Sequence, residues 1–155
     1  GETFSGLRTG GMFYAGPKFW CPGMTATYDS NNYRILRYAD AVLMQSECHY
    51  ELGHPEESLN YLNKVRARAG LEDYPYVTDA ELIREIQNER ARELGGEFHR
   101  KFDLVRWGIW YDMTKQFNEE SRVKSNIRRC HRYYPIPDTE CALSNGVLSN
   151  PEYEE

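Results

Sequence analysis

The pattern of apolar and polar residues changes near residue 33, and from there it follows the 3.6-residue period of α-helices. Between Tyr33 and Gly53, apolar and small residues recur at helical spacing and cover more than one face, which predicts a largely buried helix. These residues are Ile35, Leu36, Ala39, Val42, Leu43, Ser46 and Tyr50. We expect Gly53 to end this helix because glycine commonly follows the last helical residue.

A second helix is predicted to begin at Pro55, after a tight turn. Proline is accepted in the first helical turn, and Glu56 and Glu57 suit the positive end of the helix dipole. Gly70 closes this helix. Its apolar stripe is Ser58, Leu62, Val65 and Ala69. The two helices should therefore form an antiparallel pair.

A third helix is predicted from Asp79 to Leu94. Thr78 and Glu81 have the spacing of a capping box, and Gly95 with Gly96 should stop the helix. Its stripe is Ile83, Ile86, Arg90 and Leu94. The second and third helices are separated by a loop that contains a Tyr-Pro pair.

A fourth helix is predicted from Phe98 toward Phe117, on the stripe Phe102, Val105 and Ile109. From Ser121 onward, prolines and Asn-Gly pairs indicate an extended, irregular tail. We expect its apolar residues to pack back onto the helices: Tyr133, Tyr134, Ile136, Val147 and Leu148.

These patterns predict an all-α fold with about four main helices. Residues 1–32 are rich in glycine, aromatic residues and turn formers, with no helical period, so we divide the chain into this loop-rich segment and a helical domain over residues 33–155. Small residues Ser46 and Ser58 let the first two helices approach closely, as in tetratricopeptide-like helix pairs. Such repeats usually need three units for stability, so residues 1–32 should pack on a further, upstream part of the protein.

The overall charge argues against nucleic acid as a partner. The formal net charge is -5, whereas phosphate binding usually leaves a basic surface. One local basic cluster is interpreted as partners for the acidic helices: Arg122, Lys124, Arg128, Arg129 and Arg132. Aromatic residues reach 14%, and the rings could either fill the core or stack on a flat ligand.

We expect no metal, cofactor or membrane-spanning helix. The four cysteines include no Cys-x-x-Cys pair, and the two Cys-His neighbours at residues 48–49 and 130–131 lack the spacing of zinc ligands. No window approaches the roughly 18 consecutive apolar residues of a membrane span. The start has no signal-peptide pattern and no initiator methionine, so we expect targeting information upstream.

Two sets of carboxylates could carry chemistry. Asp40 and Glu47 lie in the most apolar helix and should be paired, because a buried charge is costly alone; we predict an arginine partner from residues 89–106. Glu89 and Glu93 could be the acid and base of a glycoside hydrolase. The alternative is a charge network with nearby arginines such as Arg92, which would keep the carboxylates ionised, and we favour that interpretation.

Several segments, in the same order along the chain, resemble the SusD/RagB family. They are NYRILRYADAVLM (32–44) with Glu47 and ELG (51–53), LNKVRARAG (62–70), NERAREL (88–94) with HR (99–100) and FDLVRWG (102–108), YYPIP (133–137) and LSNPEY (148–153). One departure is Gly95-Gly96-Glu97-Phe98, where the family more often has Ala-Phe-Glu-Gly before His-Arg. This departure moves the flexible glycine earlier and alters the corner between two helices.

The resemblance implies a binding protein, not an enzyme, made of tetratricopeptide-like helix pairs. Members are lipid-anchored on the outer face of the outer membrane through an upstream cysteine. They pass glycans or other nutrients to a SusC-like TonB-dependent transporter. The chain would be the supporting C-terminal part of such a protein. The alternative is a tetratricopeptide-like scaffold that binds proteins and has no small-molecule ligand.

Ligand contacts in this family lie largely on loops. If this chain contributes, the candidates are the loop aromatics Tyr14, Phe19 and Trp20, because an exposed ring can stack on a sugar face. The alternative is that these rings line the contact with the upstream part of the protein.

Overall fold

The computed structural model describes residues 18, 32 and 34–153. Within these residues the secondary structure is helical, with no β-strand, as predicted. The α-helices in this part of the chain are α1 (Tyr38–Glu51), α2 (Pro55–Arg68), α3 (Asp79–Glu93), α4 (Arg100–Arg106), α5 (Trp110–Phe117), α6 (Ser121–Asn126) and α7 (Asp138–Leu143). None of them is long and apolar enough to cross a membrane.

The chain divides into two compact units, residues 1–100 and residues 101–155. The first contains α1, α2 and α3, and we call it the N-terminal unit. The second, the C-terminal unit, contains all of α4 except its first residue and the elements that follow. This division does not test the boundary predicted at residue 32, because most of the segment before it lies outside the described residues.

The N-terminal unit is built on the predicted antiparallel pair α1–α2. Ser46 and Ser58 are fully buried at the crossing, and the Ser46 hydroxyl donates to the Ser58 carbonyl at 2.7 Å. Gly53 and Gly70 follow the two helices with φ of +74°, a left-handed conformation that suits glycine. Small side chains and glycine ends therefore set the close approach and the length of the pair.

Helix α3 packs against both α1 and α2 and completes one core. The buried residues of this core are Val42, Leu43, Leu62, Val65, Leu82 and Ile86. The Thr78 side chain accepts a hydrogen bond from the Glu81 backbone N–H, which confirms the predicted cap. Leu82 is fully buried, whereas Ile83, which the stripe favoured, is half-buried.

The predicted start of α1 at Tyr33 was wrong. The helix begins at Tyr38, and Ile35 and Leu36 precede it with exposed side chains. Only one face of α1 is buried, since Tyr38 and Met44 are also exposed. Helix α1 and the residues before it therefore carry apolar side chains that the neighbouring elements of the described structure leave exposed.

The predicted fourth helix is two helices, α4 and α5. Gly108 lies between them with φ of +74°, which an α-helix cannot continue through. Phe102, assigned to the buried stripe, is exposed, and Leu104 is buried in its place. The apolar spacing continues across the glycine, and that continuity produced the error.

The corner between α3 and α4 contains a non-glycine residue in the left-handed region. Gly96 has φ of +79° and Phe98 has φ of +65°, with the Phe98 side chain exposed. Phe98 is the position where the resemblance to the SusD/RagB family led us to expect glycine. The departure from the family pattern therefore places a bulky residue in a backbone conformation that costs about 1 kcal/mol or more.

The predicted extended tail is partly helical. It contains α6, α7 and two 3-10 turns at Arg129–Arg132 and Pro151–Tyr153. The prediction that its apolar residues pack inward was largely wrong, because Tyr133, Tyr134, Val147 and Leu148 are exposed. The tail residues that are buried instead are Ile127 and Cys130.

Candidate functional site

A buried ion pair joins α1 to α3. Arg90 donates to the Asp40 carboxylate at 2.9 Å, and both side chains are almost fully buried. The pair confirms the predicted arginine partner for Asp40. Since Asp40 lies near the start of α1 and Arg90 near the end of α3, the contact fixes how these two helices pack.

A second charge network holds the corner after α3. Arg37 contacts Glu97 at 2.7 Å and Glu93 at 2.9 Å, and Lys18 also pairs with Glu97. Burial opposes ionisation of Glu97, but hydrogen bonds from Arg37 and Lys18 outweigh it and lower its pKa from 4.5 to about 2. The hydrogen bond to Glu97 also raises the pKa of Arg37. Glu97 and Arg37 therefore stay charged at neutral pH.

Glu85 and Glu89 on α3 form the third group. Arg66 of α2 contacts Glu85 at 3.0 Å and Glu89 at 3.4 Å, and Arg92 contacts Glu89 at 2.6 Å. Arg68 contacts Glu93 at 2.7 Å. The charge network predicted for Glu89 and Glu93 is confirmed. Arginines occupy the oxygens that an acid and base of a hydrolase would have to present to substrate.

The C-terminal unit contains an open cavity of about 530 Å³, bordered by α5, α6 and the tail. We call it the aromatic cavity, because four rings line it: Trp110, Tyr133, Tyr134 and Tyr153. Tyr133 and Tyr134 are exposed. A concave surface lined by accessible rings is a typical setting for binding of a small ligand.

Basic side chains also line the aromatic cavity. Lys101 lies with its Nζ 3.9 Å from the centre of the Tyr134 ring and 5.8 Å from that of Trp110. Arg122 and His131 are the other basic residues, and Thr114 and Asn126 add neutral polar groups. Among the described residues that line the cavity, none is Asp or Glu.

The aromatic cavity was missed at the level of sequence. Tyr133 and Tyr134 were assigned to tail packing, and Trp110 to the interior of a long helix. The available signal was the closeness of the Tyr-Tyr pair to the basic cluster. The predicted contacts Tyr14, Phe19 and Trp20 lie outside the described residues, so their role stays a prediction.

The basic cluster of the tail was predicted to pair with the acidic helices, and this prediction was largely wrong. Arg129 contacts Asp112 at 3.3 Å, in an exposed pair. Arg128 instead donates to the Tyr153 carbonyl, and Arg132 lies over the Tyr133 ring at 4.8 Å. Carbonyls and aromatic rings are therefore frequent partners of these cations.

No group of three or more potential metal ligands occurs within the part of the chain that the structure describes. Of the cysteines, Cys48, Cys130 and Cys141 are free thiols, and Cys21 lies outside the described residues. Cys48 is exposed and Cys130 is buried. The described geometry thus offers a scaffold clamped by charges and one open, ring-lined cavity.

Comparison with known proteins identifies related chains. The sequence profile of the SusD family matches residues 22–153. A SusD-like protein of Formosa agariphila is 37% identical over 126 residues, which are 78% of this chain and 24% of the relative. The starch-binding protein SusD of Bacteroides thetaiotaomicron is 26% identical over 136 residues, 86% of this chain and 24% of the relative.

A solved structure shows the same fold. The crystal structure of a SusD superfamily protein from Bacteroides vulgatus matches with a TM-score of 0.61 and 32% identity, over 70% of this chain and 25% of that chain. The chain spans about a quarter of the length of the relatives it matches. With the profile match covering most of its residues, the chain belongs to the SusD family.

Proposed function

We propose that this chain is the supporting C-terminal part of a nutrient-binding protein that captures glycans at the outer face of the outer membrane. The observation that carries the proposal is the family match over residues 22–153. One relative bears the name of a starch-binding protein, which makes a glycan the favoured ligand class. The protein would hand its ligand to a SusC-like TonB-dependent transporter and be held in the membrane by an upstream lipid anchor.

The geometry supports binding without turnover. Glu85, Glu89 and Glu93 are each in contact with arginine side chains that bridge helices. These contacts stabilise the packing of the N-terminal unit and occupy the carboxylate oxygens. A glycosidase instead needs one carboxylic acid that stays protonated near neutral pH.

The binding claim is tested with the full-length protein that carries this chain. We expect isothermal titration calorimetry to detect binding to at least one oligosaccharide of a panel that spans neutral, carboxylated and sulfated glycans. Chromatography of the same mixtures after long incubation should show intact oligosaccharides. Absence of binding across the panel would contradict the proposal, and release of shorter sugars would show that the protein is an enzyme.

The partner and location are tested in the source bacterium. An affinity-tagged copy should co-purify with an outer-membrane transporter and should be removed from intact cells by external protease. Substitution of the lipid-anchor cysteine upstream should release it from the membrane. Recovery in the cytosol, with no transporter attached, would contradict this part of the proposal.

The second candidate is a tetratricopeptide-like scaffold for protein partners. It is favoured by the apolar side chains that α1 and the residues before it expose, namely Ile35, Leu36, Tyr38 and Met44. The glycan panel separates the two functions. A scaffold would bind no oligosaccharide, and replacement of Leu36 and Tyr38 by serine would abolish its partner binding.

A further inference from the structure

We propose that the aromatic cavity of the C-terminal unit is a binding site for an anionic saccharide, one that carries carboxylate or sulfate groups. This inference rests on the proposed glycan-binding function and deepens it, since it assigns a contact surface and a ligand charge to this part of the protein. The aromatic rings indicate that the ligand is a sugar, and the positive charges around them indicate that this sugar carries a negative charge.

The rings are suited to the apolar faces of sugar residues. Tyr134 exposes 76% of its surface and Tyr133 exposes 59%, although both line a concave site. Burial of exposed aromatic surface against a ligand is favourable, and a pyranose ring presents a flat C–H face of matching size. The cavity, at about 530 Å³, has room for a short oligosaccharide segment.

The charge of the lining departs from the charge of the chain. The protein has a formal net charge of -5, yet the cations Lys101 and Arg122 line the cavity, with no Asp or Glu among its described lining residues. For a neutral ligand this segregation has no use. For an anion it provides attraction that no nearby carboxylate cancels.

Arg122 is the residue best placed to bind the anion. Its side chain is exposed, and no carboxylate within residues 34–153 forms an ion pair with it. In the N-terminal unit, by contrast, Arg37, Arg66 and Arg90 all contact carboxylates. A guanidinium can bind a carboxylate or a sulfate through two parallel hydrogen bonds.

Lys101 can exchange its present partners for a ligand. Its ammonium group lies against Tyr134, and an exposed contact between a cation and a ring is weak. A sugar that stacked on Tyr134 would displace the ammonium to the edge of the ring, where it could pair with an anionic substituent. The same residue would then contribute both the vacated ring face and a charge.

His131 supplies a further donor. Its Nδ1 accepts a hydrogen bond from the Arg128 backbone N–H at 3.3 Å, so the proton of the neutral ring lies on Nε2. Asn126 and Thr114 add side chains that can both donate and accept. Hydroxyl groups and charged substituents of one saccharide can thus be satisfied together.

The test compares three oligosaccharides of equal length on the full-length protein: neutral, uronate-containing and sulfated. We expect calorimetry to show at least tenfold tighter binding of one or both anionic ligands at 20 mM salt than of the neutral one. This preference should shrink at 500 mM salt, because added ions screen exposed charges. The carboxylated and sulfated arms identify the anionic group.

Variants assign the binding to the cavity. Arg122→Glu and Tyr134→Ala should each weaken anionic binding about tenfold or more, because one reverses the charge and the other removes a ring. Both positions are exposed, so both variants should fold, which circular dichroism checks. The matched control is Arg129→Glu, since Arg129 belongs to the same basic cluster as Arg122 but does not line the cavity.

Each outcome is decisive. Equal affinity for neutral and anionic ligands, or unchanged binding by both cavity variants, would overturn this inference and leave the proposed glycan-binding function intact. Equal loss in Arg129→Glu would reduce the effect to general electrostatics and would also overturn it. Failure of the wild-type protein to bind any of the three ligands would overturn the inference together with the proposed function.

Discussion

Asp40 and Arg90 show how a single buried residue pair can determine the packing of helices. Each charge lies in a site with almost no solvent, where it is tolerated because the other is 2.9 Å away. Apolar residues of similar size could fill the same space. The ion pair additionally requires one particular placement of α3 against α1.

We predict that Asp40→Asn lowers the free energy of unfolding by about 3 kcal/mol, because the substitution removes the negative charge opposite buried Arg90. Urea denaturation followed by circular dichroism measures the change. Asp73→Asn makes the same chemical change at an exposed position of the same unit and should alter stability by no more than about 0.5 kcal/mol. Equal effects of the two substitutions would contradict a specific role for the pair.

Glu97 should make stability depend on acidity. Its pKa in the folded protein, about 2, lies below the ordinary 4.5, so the ionised carboxylate stabilises the fold above about pH 4.5. That contribution is lost as the pH falls from 4.5 toward 2. Glu97→Gln should therefore cost on the order of 2 kcal/mol at pH 7 and progressively less below pH 4.5.

Urea titrations at pH 7, 4 and 2.5 test this dependence. Glu72→Gln, at an exposed site, is the control and should follow the wild-type curve at all three values. A constant difference between Glu97→Gln and the wild type across this range would show that the carboxylate charge is not the stabilising feature.

At the scale of elements, the two corners between consecutive helices differ in how well their residues suit the backbone conformation. The corner at residues 95–98 has a phenylalanine where the left-handed conformation favours glycine, whereas the corner between α4 and α5 has the glycine it needs at Gly108. The two corners therefore predict opposite responses to substitution.

We predict that Phe98→Gly stabilises the protein by roughly 1 kcal/mol, because it removes backbone strain and the Phe98 side chain, being 77% exposed, contributes little burial. Gly108→Ala should destabilise it by about the same amount. Gly108→Asn should lose less than Gly108→Ala, since asparagine tolerates the left-handed region better. Urea midpoints measure all three, and a loss of stability in Phe98→Gly would contradict the strain.

How far the sequence predicts each element depends on whether its signals are local. Helices α2 and α3 were predicted within about one residue at each end, because Pro55, Thr78 and the terminal glycines act on their own neighbours. The break between α4 and α5 at Gly108 was missed, because the spacing of apolar residues gives no information about backbone dihedral angles. The Tyr-Tyr pair beside the basic cluster was a local signal for the aromatic cavity, but the cavity itself depends on Lys101 lying beside Tyr134, 33 residues later along the chain, which no local signal predicts.

At the scale of the whole molecule, the two units differ in how much apolar surface they bury. Among the described residues, the buried hydrophobic ones of the N-terminal unit are Ala39, Val42, Leu43, Leu62, Val65, Leu82, Ile86 and Leu94. Those of the C-terminal unit are Leu104, Ile127 and Cys130. Since burial of apolar surface is the main stabilising contribution, the second unit should be the weaker one.

We predict that the C-terminal unit unfolds first. Trp107 and Trp110 both lie in it, so a Trp20→Phe variant places all tryptophan fluorescence there. The fluorescence change in urea should precede the main loss of the circular dichroism signal at 222 nm, to which the longer helices α1, α2 and α3 contribute most. Coincident transitions would show that the two units unfold as one.

The ion pair between α1 and α3 also has a consequence for the order of folding. Its residues are 50 positions apart, whereas the Ser46–Ser58 contact of the α1–α2 pair closes a loop of 12. Closing the shorter loop costs less conformational entropy. The α1–α2 pair should therefore form early in folding, and α3 should pack against it late. Stopped-flow measurements on Asp40→Asn should then show faster unfolding with a refolding rate close to that of the wild type. The Asp40–Arg90 ion pair would then form after the transition state for folding. It would slow unfolding of the native protein without changing the folding rate.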